Sequence, residues 1–129
     1  MPNSTEVSDF FAQRLRFAPE FMSADPNGAV PVVRAELAQA LPKRKAMFEA
    51  AGVGPLTLRS LTDTVLDDNY VLAETTWAGP IAGGGEFETA ATYILRRTPE
   101  GLEIVFYLNH VDVRAGLSAL SHKVTREDG

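Results

Sequence analysis

A histidine and a carboxylate stand two residues apart near the end of the last β-like segment, in the sequence His110-Val111-Asp112. Residues two apart on a strand point to the same face. A carboxylate in that position can hold the tautomer of the imidazole and raise its basicity. The pair is therefore a candidate general base, with Tyr93 as a candidate hydrogen-bond donor to an oxyanion. The same spacing is typical of a histidine bonded at a strand end beside a solvated aspartate, so the structural reading stands beside the catalytic one.

Other kinds of catalytic or cofactor site lack their residues. The chain has no cysteine, which excludes a disulfide framework, thiolate catalysis and cysteine-ligated metal centres. The only other histidine is His122 in the polar tail, and no spacing of two histidines and a carboxylate appears, so we expect no metal site. The glycine triplet 83–85 precedes a predicted strand, whereas a dinucleotide-binding turn opens a helix. We therefore expect no cofactor.

Length and charge narrow the class of protein. The chain has 129 residues, and its 12 basic against 17 acidic residues give a net charge of −5. This balance argues against nucleic acid as a partner, because that surface needs clustered positive charge. No apolar run approaches the ~20 residues that span a bilayer, and the N-terminus lacks the pattern of a secretory signal. We expect one domain over residues 1–129, located in the cytoplasm without membrane contact, whose tail 114–129 forms a short helix or frays.

The N-terminal half has helical periodicity. Apolar residues predict a first helix over residues 4–18, capped by Asn3 and ended by Pro19, with one further turn at residues 20–22. The sequence Asp25-Pro26-Asn27-Gly28 predicts a turn.

A second helix is expected over residues 32–51, with either a kink or a division into two helices at Pro42. Its basic residues Arg34, Lys43, Arg44 and Lys45 favour a solvated face over an anion site.

The C-terminal half has the composition and turn spacing typical of β-strands. Segments 56–66, 70–77, 87–97 and 102–113 are separated by turn signals and predict a four-stranded, or larger, antiparallel meander. Helices on one face of a strongly bent antiparallel sheet define an α+β architecture. Such an arrangement leaves a conical hollow between helices and sheet, where a small ligand would bind.

The two faces of the sheet follow from the expected pairing across the turn at residues 98–101. This register places Tyr93 opposite Phe106 and Thr89 opposite His110. The face toward the helices then carries Phe87, Thr89, Ala91, Tyr93, Leu95, Ile104, Phe106, Leu108, His110 and Asp112. The opposite face is also unusually apolar, with Ile94, Val105, Tyr107 and Val111, which predicts a homodimer through the outer face of the sheet.

Four aromatic residues are candidates for ligand binding. Tyr93 and Phe106 lie on the predicted inner face, and Phe11 is expected to dock the first helix there together with Phe10. Trp77 ends the second strand and either caps a ligand by stacking or belongs to the core. The expected ligand is a small apolar or aromatic molecule.

Three stretches carry a resemblance to a known family: Glu74-Thr75-Thr76-Trp77, residues 92–97, and residues 101–106 running on to His110 and Asp112. Over residues 55–113 the chain resembles the nuclear transport factor two-like superfamily in its SnoaL-like branch. The resemblance implies a cone of helices wrapped by a bent antiparallel sheet that commonly dimerises through the sheet. Members of the superfamily include isomerases, dehydratases, polyketide cyclases and non-catalytic binding or association domains.

The leading functional expectation is a small-molecule-binding domain with its pocket between helices and sheet. One alternative is a cofactor-independent isomerase or cyclase that uses His110 with Asp112. The other is a homodimeric association module without a ligand. The interior distinguishes them, because a void favours binding or catalysis and a fully packed interior favours association.

Overall fold

The computed structural model describes residues 4–12, 15–113 and 115–120. The main elements of this described part of the chain are two helices and six strands. In chain order they are α1 (Ser4–Ala12), β1 (Phe17–Asp25), β2 (Gly28–Val33), α2 (Arg34–Ala50), β3 (Thr57–Val65), β4 (Tyr70–Pro80), β5 (Glu86–Thr98) and β6 (Gly101–Asn109). Residues 115–120 are also helical. The predicted cap Asn3 and the tail residues 121–129, with His122, lie outside the described residues.

The strands form one six-stranded sheet in the order β2-β1-β6-β5-β4-β3. Strands β3 to β6 pair antiparallel as the expected meander. Strand β1 adds to it by parallel pairing with β6, and β2 pairs antiparallel with β1 at the edge. The predicted α+β class, with helices packed on a sheet of four or more strands, is confirmed. The meander β3 to β6 is antiparallel as expected, and the parallel pairing of β1 makes the six-stranded sheet mixed.

Strand β1 occupies Phe17–Asp25, where the end of the predicted first helix and its further turn were expected, and residues 13–14 between α1 and β1 lie outside the described residues. The prediction extended the helix because Leu15 and Ala18 continue the helical spacing of Phe11. In β1, Phe17 and Phe21 lie on the same side of the strand. The two rings meet with centroids 4.7 Å apart. The predicted turn at residues 25–28 is present and joins β1 to β2.

Helix α2 agrees with its prediction, and one of the two alternatives expected at Pro42 is excluded. The helix is continuous from Arg34 to Ala50 with Pro42 inside it, so it does not divide into two helices. None of its residues is buried. A helix that packed tightly on a sheet would bury one face, so α2 spans the concave side of this sheet with space beneath it.

Two apolar clusters hold the layers together. The larger one joins α1 to the middle of the sheet through Val7, Phe11, Val71, Ala73, Ala91, Tyr93, Leu95, Leu102 and Ile104. The smaller one joins the end of α2 and residues 115–120 to Phe87 at the other end of β5, through Ala51, Val53 and Leu117. The predicted docking of α1 by Phe10 and Phe11 is confirmed, because Phe11 is buried in the larger cluster and Phe10 packs against it.

A β-bulge in β6 sets which side chains face the helices. Near the turn the pairing is as predicted, with Thr98 opposite Gly101 and Leu95 opposite Ile104. Val105 is then an extra residue, so Ile94 pairs with Phe106 and every later pair is shifted by one. A shift of one residue moves a side chain to the other face of the sheet.

The predicted faces are therefore correct for β5 and wrong for β6 beyond the bulge. Phe106, Leu108 and His110 were expected on the inner face and lie on the outer one. Tyr107, which was expected on the outer face, points inward beside Tyr93. Phe106 is consequently not a partner of α1. Val111 follows the end of β6 and lines a cavity near residues 115–120 rather than the outer face.

Within the described residues, no helix combines the length and the apolar character that crossing a membrane requires.

Candidate functional site

A hollow of about 340 Å³ lies between α2 and the concave face of the sheet. Its walls are mainly apolar and rich in aromatic rings. They consist of Leu15, Phe17, Phe21, Ser23, Val32, Leu37, Leu41, Arg44, Leu56, Trp77, Thr89, Ala91, Tyr93 and Tyr107. Among the described residues that line it, Arg44 alone carries a charge. We call this space the apolar hollow.

A second and more polar cavity of about 790 Å³ adjoins the apolar hollow. Its walls include Asp25, Asn27, Lys43, Asn109 and Asp112. The two cavities share the lining residues Ser23, Leu37, Arg44 and Tyr107, so these residues mark the boundary between them. We call the second space the mouth. An apolar chamber with a polar mouth suits a ligand that has one apolar and one polar end.

Tyr93 forms one wall of the apolar hollow and is only 4% exposed. Its ring stacks on that of Tyr107, with centroids 5.2 Å apart and planes 24° apart. Burial is the main cause that raises the pKa of the Tyr93 hydroxyl above its ordinary value, and the neighbouring Tyr107 raises it further. The opposing effect of the Arg44 charge on this pKa is smaller. Tyr93 therefore remains a neutral phenol that can donate a proton in a hydrogen bond.

Trp77 forms part of the same wall and is held in place by hydrogen bonds. Its Nε1 donates to Thr75 Oγ1 at 2.8 Å, and that hydroxyl donates to the Ala91 carbonyl at 2.8 Å. Thr75 is buried, so this pair of bonds fixes the indole against the sheet. The indole is only partly buried and faces the hollow. Trp77 packs against the larger cluster, as expected for a core residue, and it also lines the cavity, while its stacking on a ligand stays a prediction.

Asn109 sits where the apolar hollow meets the mouth and is 8% exposed. Its Oδ1 accepts from the Thr89 hydroxyl at 3.1 Å and from the Val111 backbone N–H at 3.1 Å. Its Nδ2 donates to the Tyr107 hydroxyl oxygen at 3.1 Å. These three bonds join β5, β6 and the segment after β6 at the boundary of the two cavities.

The four residues predicted to bind a ligand fall in three places. Tyr93 and Trp77 line the apolar hollow. Phe11 lies one layer behind them, with its ring centroid 5.0 Å from that of Tyr93 and 6.3 Å from that of Trp77. Phe106 lies on the outer face of the sheet, because the bulge at Val105 reverses its direction.

The candidate acid–base pair is not brought together on one inner face. His110 is exposed on the outer side, where its Nε2 lies 2.6 Å from Thr92 Oγ1. Asp112 lies at the mouth, where its carboxylate accepts from Asn27 Nδ2 at 2.7 Å and from the Ala115 backbone N–H at 2.9 Å. The expected placement of His110 inside the cone is wrong, because the strand shifts register before this residue. As a catalytic pair, the two residues stay a prediction, now without a shared face.

Residues that the sequence did not single out complete the site. Tyr107 and Asn109 were assigned to the other face, and a signal for the bulge is absent from the local sequence pattern. Arg44 is one of the basic residues of the second helix that were expected to form a solvated face. It is exposed, and it also lines the hollow. Its guanidinium carbon lies 5.7 Å from the centre of the Phe48 ring, a cation–π contact that directs the side chain along α2.

Comparisons with known proteins identify the fold. No family model matches the chain, and no curated protein matches it. Among solved structures, the protein Aln2 from a Streptomyces species is 16% identical with a TM-score of 0.62, over 92% of this chain and 99% of that one. A protein from Novosphingobium aromaticivorans with a cystatin-like fold is 22% identical with a TM-score of 0.57, over 81% of this chain and 70% of that one.

A third structure, a proposed polyketide cyclase from Xanthomonas campestris pv. campestris, is 18% identical with a TM-score of 0.53, over 90% of this chain and 87% of that one. The matching structures include several described as nuclear transport factor two-like. The chain has the cystatin-like fold of these structures, which is the fold that the resemblance implied.

Proposed function

We propose that this chain binds one small, largely apolar molecule in the apolar hollow. The observation that carries the proposal is the hollow itself, a space of about 340 Å³ walled by Phe17, Phe21, Trp77, Tyr93 and Tyr107. Ligand sites in proteins are concave, about 300–1,000 Å³ in volume, and mostly apolar with a few placed polar groups. This space agrees with that description in size and in composition.

The exposure of α2 supports the same proposal. Leu41 lines the hollow from the helix side and is 50% exposed, and Leu37 beside it is only partly buried. Apolar side chains that turn toward an empty space gain little from folding. A bound apolar molecule would cover them and complete the packing between α2 and the sheet.

The alternatives gain less support from the geometry. An association module without a ligand needs no void in its interior, whereas this interior contains one. An isomerase or cyclase that uses His110 with Asp112 needs the base to reach the bound molecule. His110 is exposed on the opposite face of the sheet, so the hollow offers it no access to a ligand.

The single tryptophan of the chain makes the proposal testable, because Trp77 lines the hollow. We expect 2-naphthamide and 2-naphthoate, two planar apolar probes, to change Trp77 fluorescence in a saturable way, with calorimetry as the second measurement. Ala91→Leu adds a side chain into the hollow and should abolish this binding. Ala90→Leu, on the next residue of β5, points to the outer face and should leave binding unchanged.

The proposal is wrong if neither probe binds to the natural chain. It is also wrong if Ala91→Leu, shown by circular dichroism to be folded, binds both probes as the natural chain does. Should Ala91→Leu fail to fold, the smaller change Ala91→Val is expected to weaken binding while retaining the fold.

A further inference from the structure

We propose that the ligand of the apolar hollow is an organic carboxylate with a compact apolar body, and that Tyr107 and Arg44 bind its charged end at the boundary with the mouth. This inference rests on the proposed function and specifies its ligand class.

Hydrogen bonds determine which way the amide of the Asn109 side chain points. The Val111 backbone N–H can only donate, so the amide atom that it contacts at 3.1 Å must be the oxygen Oδ1. The amide nitrogen Nδ2 then faces Tyr107. Because Asn109 is 8% exposed and both ends of its amide are hydrogen-bonded, the orientation of the amide is fixed by the fold.

The orientation of Asn109 determines the role of the Tyr107 hydroxyl in their hydrogen bond. Nδ2 of Asn109 can only donate, so the Tyr107 oxygen accepts this bond at 3.1 Å and keeps its own proton for another partner. Among the described residues no acceptor for that proton is found. The ring is held by its stack on Tyr93, so rotation cannot bring the hydroxyl to a different acceptor. The site thus presents an oriented O–H donor to an oxygen atom of a ligand.

Arg44 places a positive charge at the same boundary. This residue lines both cavities, as Tyr107 does, and no carboxylate of the described residues lies within ion-pair distance of it. Its charge partly offsets the rise in the pKa of the Tyr93 hydroxyl, which agrees with a guanidinium directed toward the hollow. The mouth also holds Lys43, Asp25 and Asp112.

The two acids at the mouth are already engaged by neighbouring groups of the chain. Asp25 accepts from the Asn27 backbone N–H at 2.8 Å, and Asp112 accepts from the Asn27 side chain and from Ala115. Arg44 is thus the cation nearest the apolar body of a ligand.

The donors together select a carboxylate. A carboxylate has two oxygens, of which one can accept from the Tyr107 hydroxyl and the other from the guanidinium of Arg44. Charge-assisted bonds of this kind are stronger than bonds between neutral groups. A neutral molecule would leave the Arg44 charge without a counter-ion. A phosphate would bring a second negative charge, whereas Arg44 is the one cation among the described residues that line the hollow.

The test compares 2-naphthoate with 2-naphthamide, which have the same apolar body and differ in the charge at one end. For the natural chain, calorimetry should show the carboxylate binding at least about tenfold more tightly, as expected for one or two charge-assisted bonds. Arg44→Gln should remove this preference and leave binding of the amide nearly unchanged. Tyr107→Phe keeps the ring stacked on Tyr93 and should weaken carboxylate binding by about threefold to tenfold.

Lys45→Gln is the matched control, since it removes one positive charge from the same helix at a residue that lines neither cavity. It should keep the preference for the carboxylate.

The outcomes separate the two proposals. Equal binding of both probes to the natural chain, or an undiminished preference in Arg44→Gln, overturns the carboxylate inference and leaves the binding function intact. Loss of the preference in Lys45→Gln as well would show a general effect of net charge, which also overturns it. If neither probe binds, the proposed function fails and this inference fails with it.

Discussion

Tyr107 lies directly opposite Tyr93 across β5 and β6, and their rings stack with centroids 5.2 Å apart. The regular register would place Phe106 in that position. The bulge at Val105 therefore exchanges an apolar ring for a phenol inside the hollow and moves the apolar ring to the outer face. The carboxylate inference depends on this exchange, because Phe106 offers no hydrogen bond and Tyr107 offers one.

Removal of the Phe11 ring should destabilise the fold strongly. Phe11 is 6% exposed and contacts Tyr93 and Trp77, so Phe11→Ala leaves a cavity in the larger cluster. Such truncations cost about 3–5 kcal/mol of unfolding free energy. Denaturant titration measures the change, and Phe10→Ala is the matched control. Because Phe10 is only partly buried, its loss should cost clearly less; equal effects would contradict this assignment of the core.

Alkaline pH should destabilise the natural chain more than Tyr93→Phe. Burial raises the pKa of the Tyr93 hydroxyl in the folded state, so folding favours the protonated phenol. Its contribution is complete below the unfolded value of ~10 and decreases as the pH rises beyond it, by about 1.4 kcal/mol per pH unit. The phenylalanine variant lacks this decrease. Denaturation of both proteins below and above pH ~10 measures how their unfolding free energies change with pH. If the two free energies fall in parallel as the pH rises, the Tyr93 hydroxyl is not buried.

The outer face of the sheet should form a homodimer. A row of apolar side chains crosses four strands there, with Met22 paired to Phe106, Phe106 to Ile94, and Ile94 to Leu72. The face was predicted to be apolar, but Phe106 lies opposite Ile94, where the expected register places Val105. A stable interface buries about 1,000 Å² or more. Light scattering should show a dimer for the natural chain and a monomer for Phe106→Glu.

The control for the dimer is a charge placed on an edge strand away from that row. Thr62→Glu lies on β3 and is exposed, so it should leave the dimer intact. A natural chain that scatters as a monomer at micromolar concentration would contradict the prediction.

Gly79 should tolerate no side chain. A Cβ built on this buried residue of β4 would lie 2.8 Å from the carbonyl oxygens of Gly54 and Pro55, so the backbone would have to move. We expect Gly79→Ala to cost about 1–3 kcal/mol of unfolding free energy, the usual range for overpacking. Gly116→Ala serves for comparison, because its Cβ would meet only the Phe87 ring, at 3.2 Å, and that ring can give way. Similar losses for both variants would contradict the steric argument.

The elements of the sheet were largely predictable because their signals are local. Turn residues bound β3 to β6 in the sequence, and the alternation along β5 agrees with the observed burial. Strand β1 lies between β2 and β6, and it was missed in part because its parallel pairing with β6 joins residues more than 80 positions apart in the sequence, a non-local contact that no local periodicity reports.

The candidate site was predictable in part for the same reason. Tyr93 lies on a regular strand, so its position facing the hollow followed from alternation, whereas Trp77 was a candidate only as an aromatic ring at a strand end. His110 and Phe106 lie beyond the bulge and were placed on the wrong face. Arg44 was visible only as one of several basic residues on α2, since a periodic pattern does not tell which cation turns toward a cavity.

The single extra residue at Val105 also affects how this chain can be aligned with others. At identities of 12–22% with solved structures, an alignment of β6 relies on a few side chains. An ungapped alignment with a relative that lacks the bulge would equate Phe106, which faces outward, with a residue that faces the ligand. Alignments that open a one-residue gap at Val105 will instead match Tyr107 and Asn109 with interior positions. Functional residues transferred from such relatives should therefore be checked on either side of that gap.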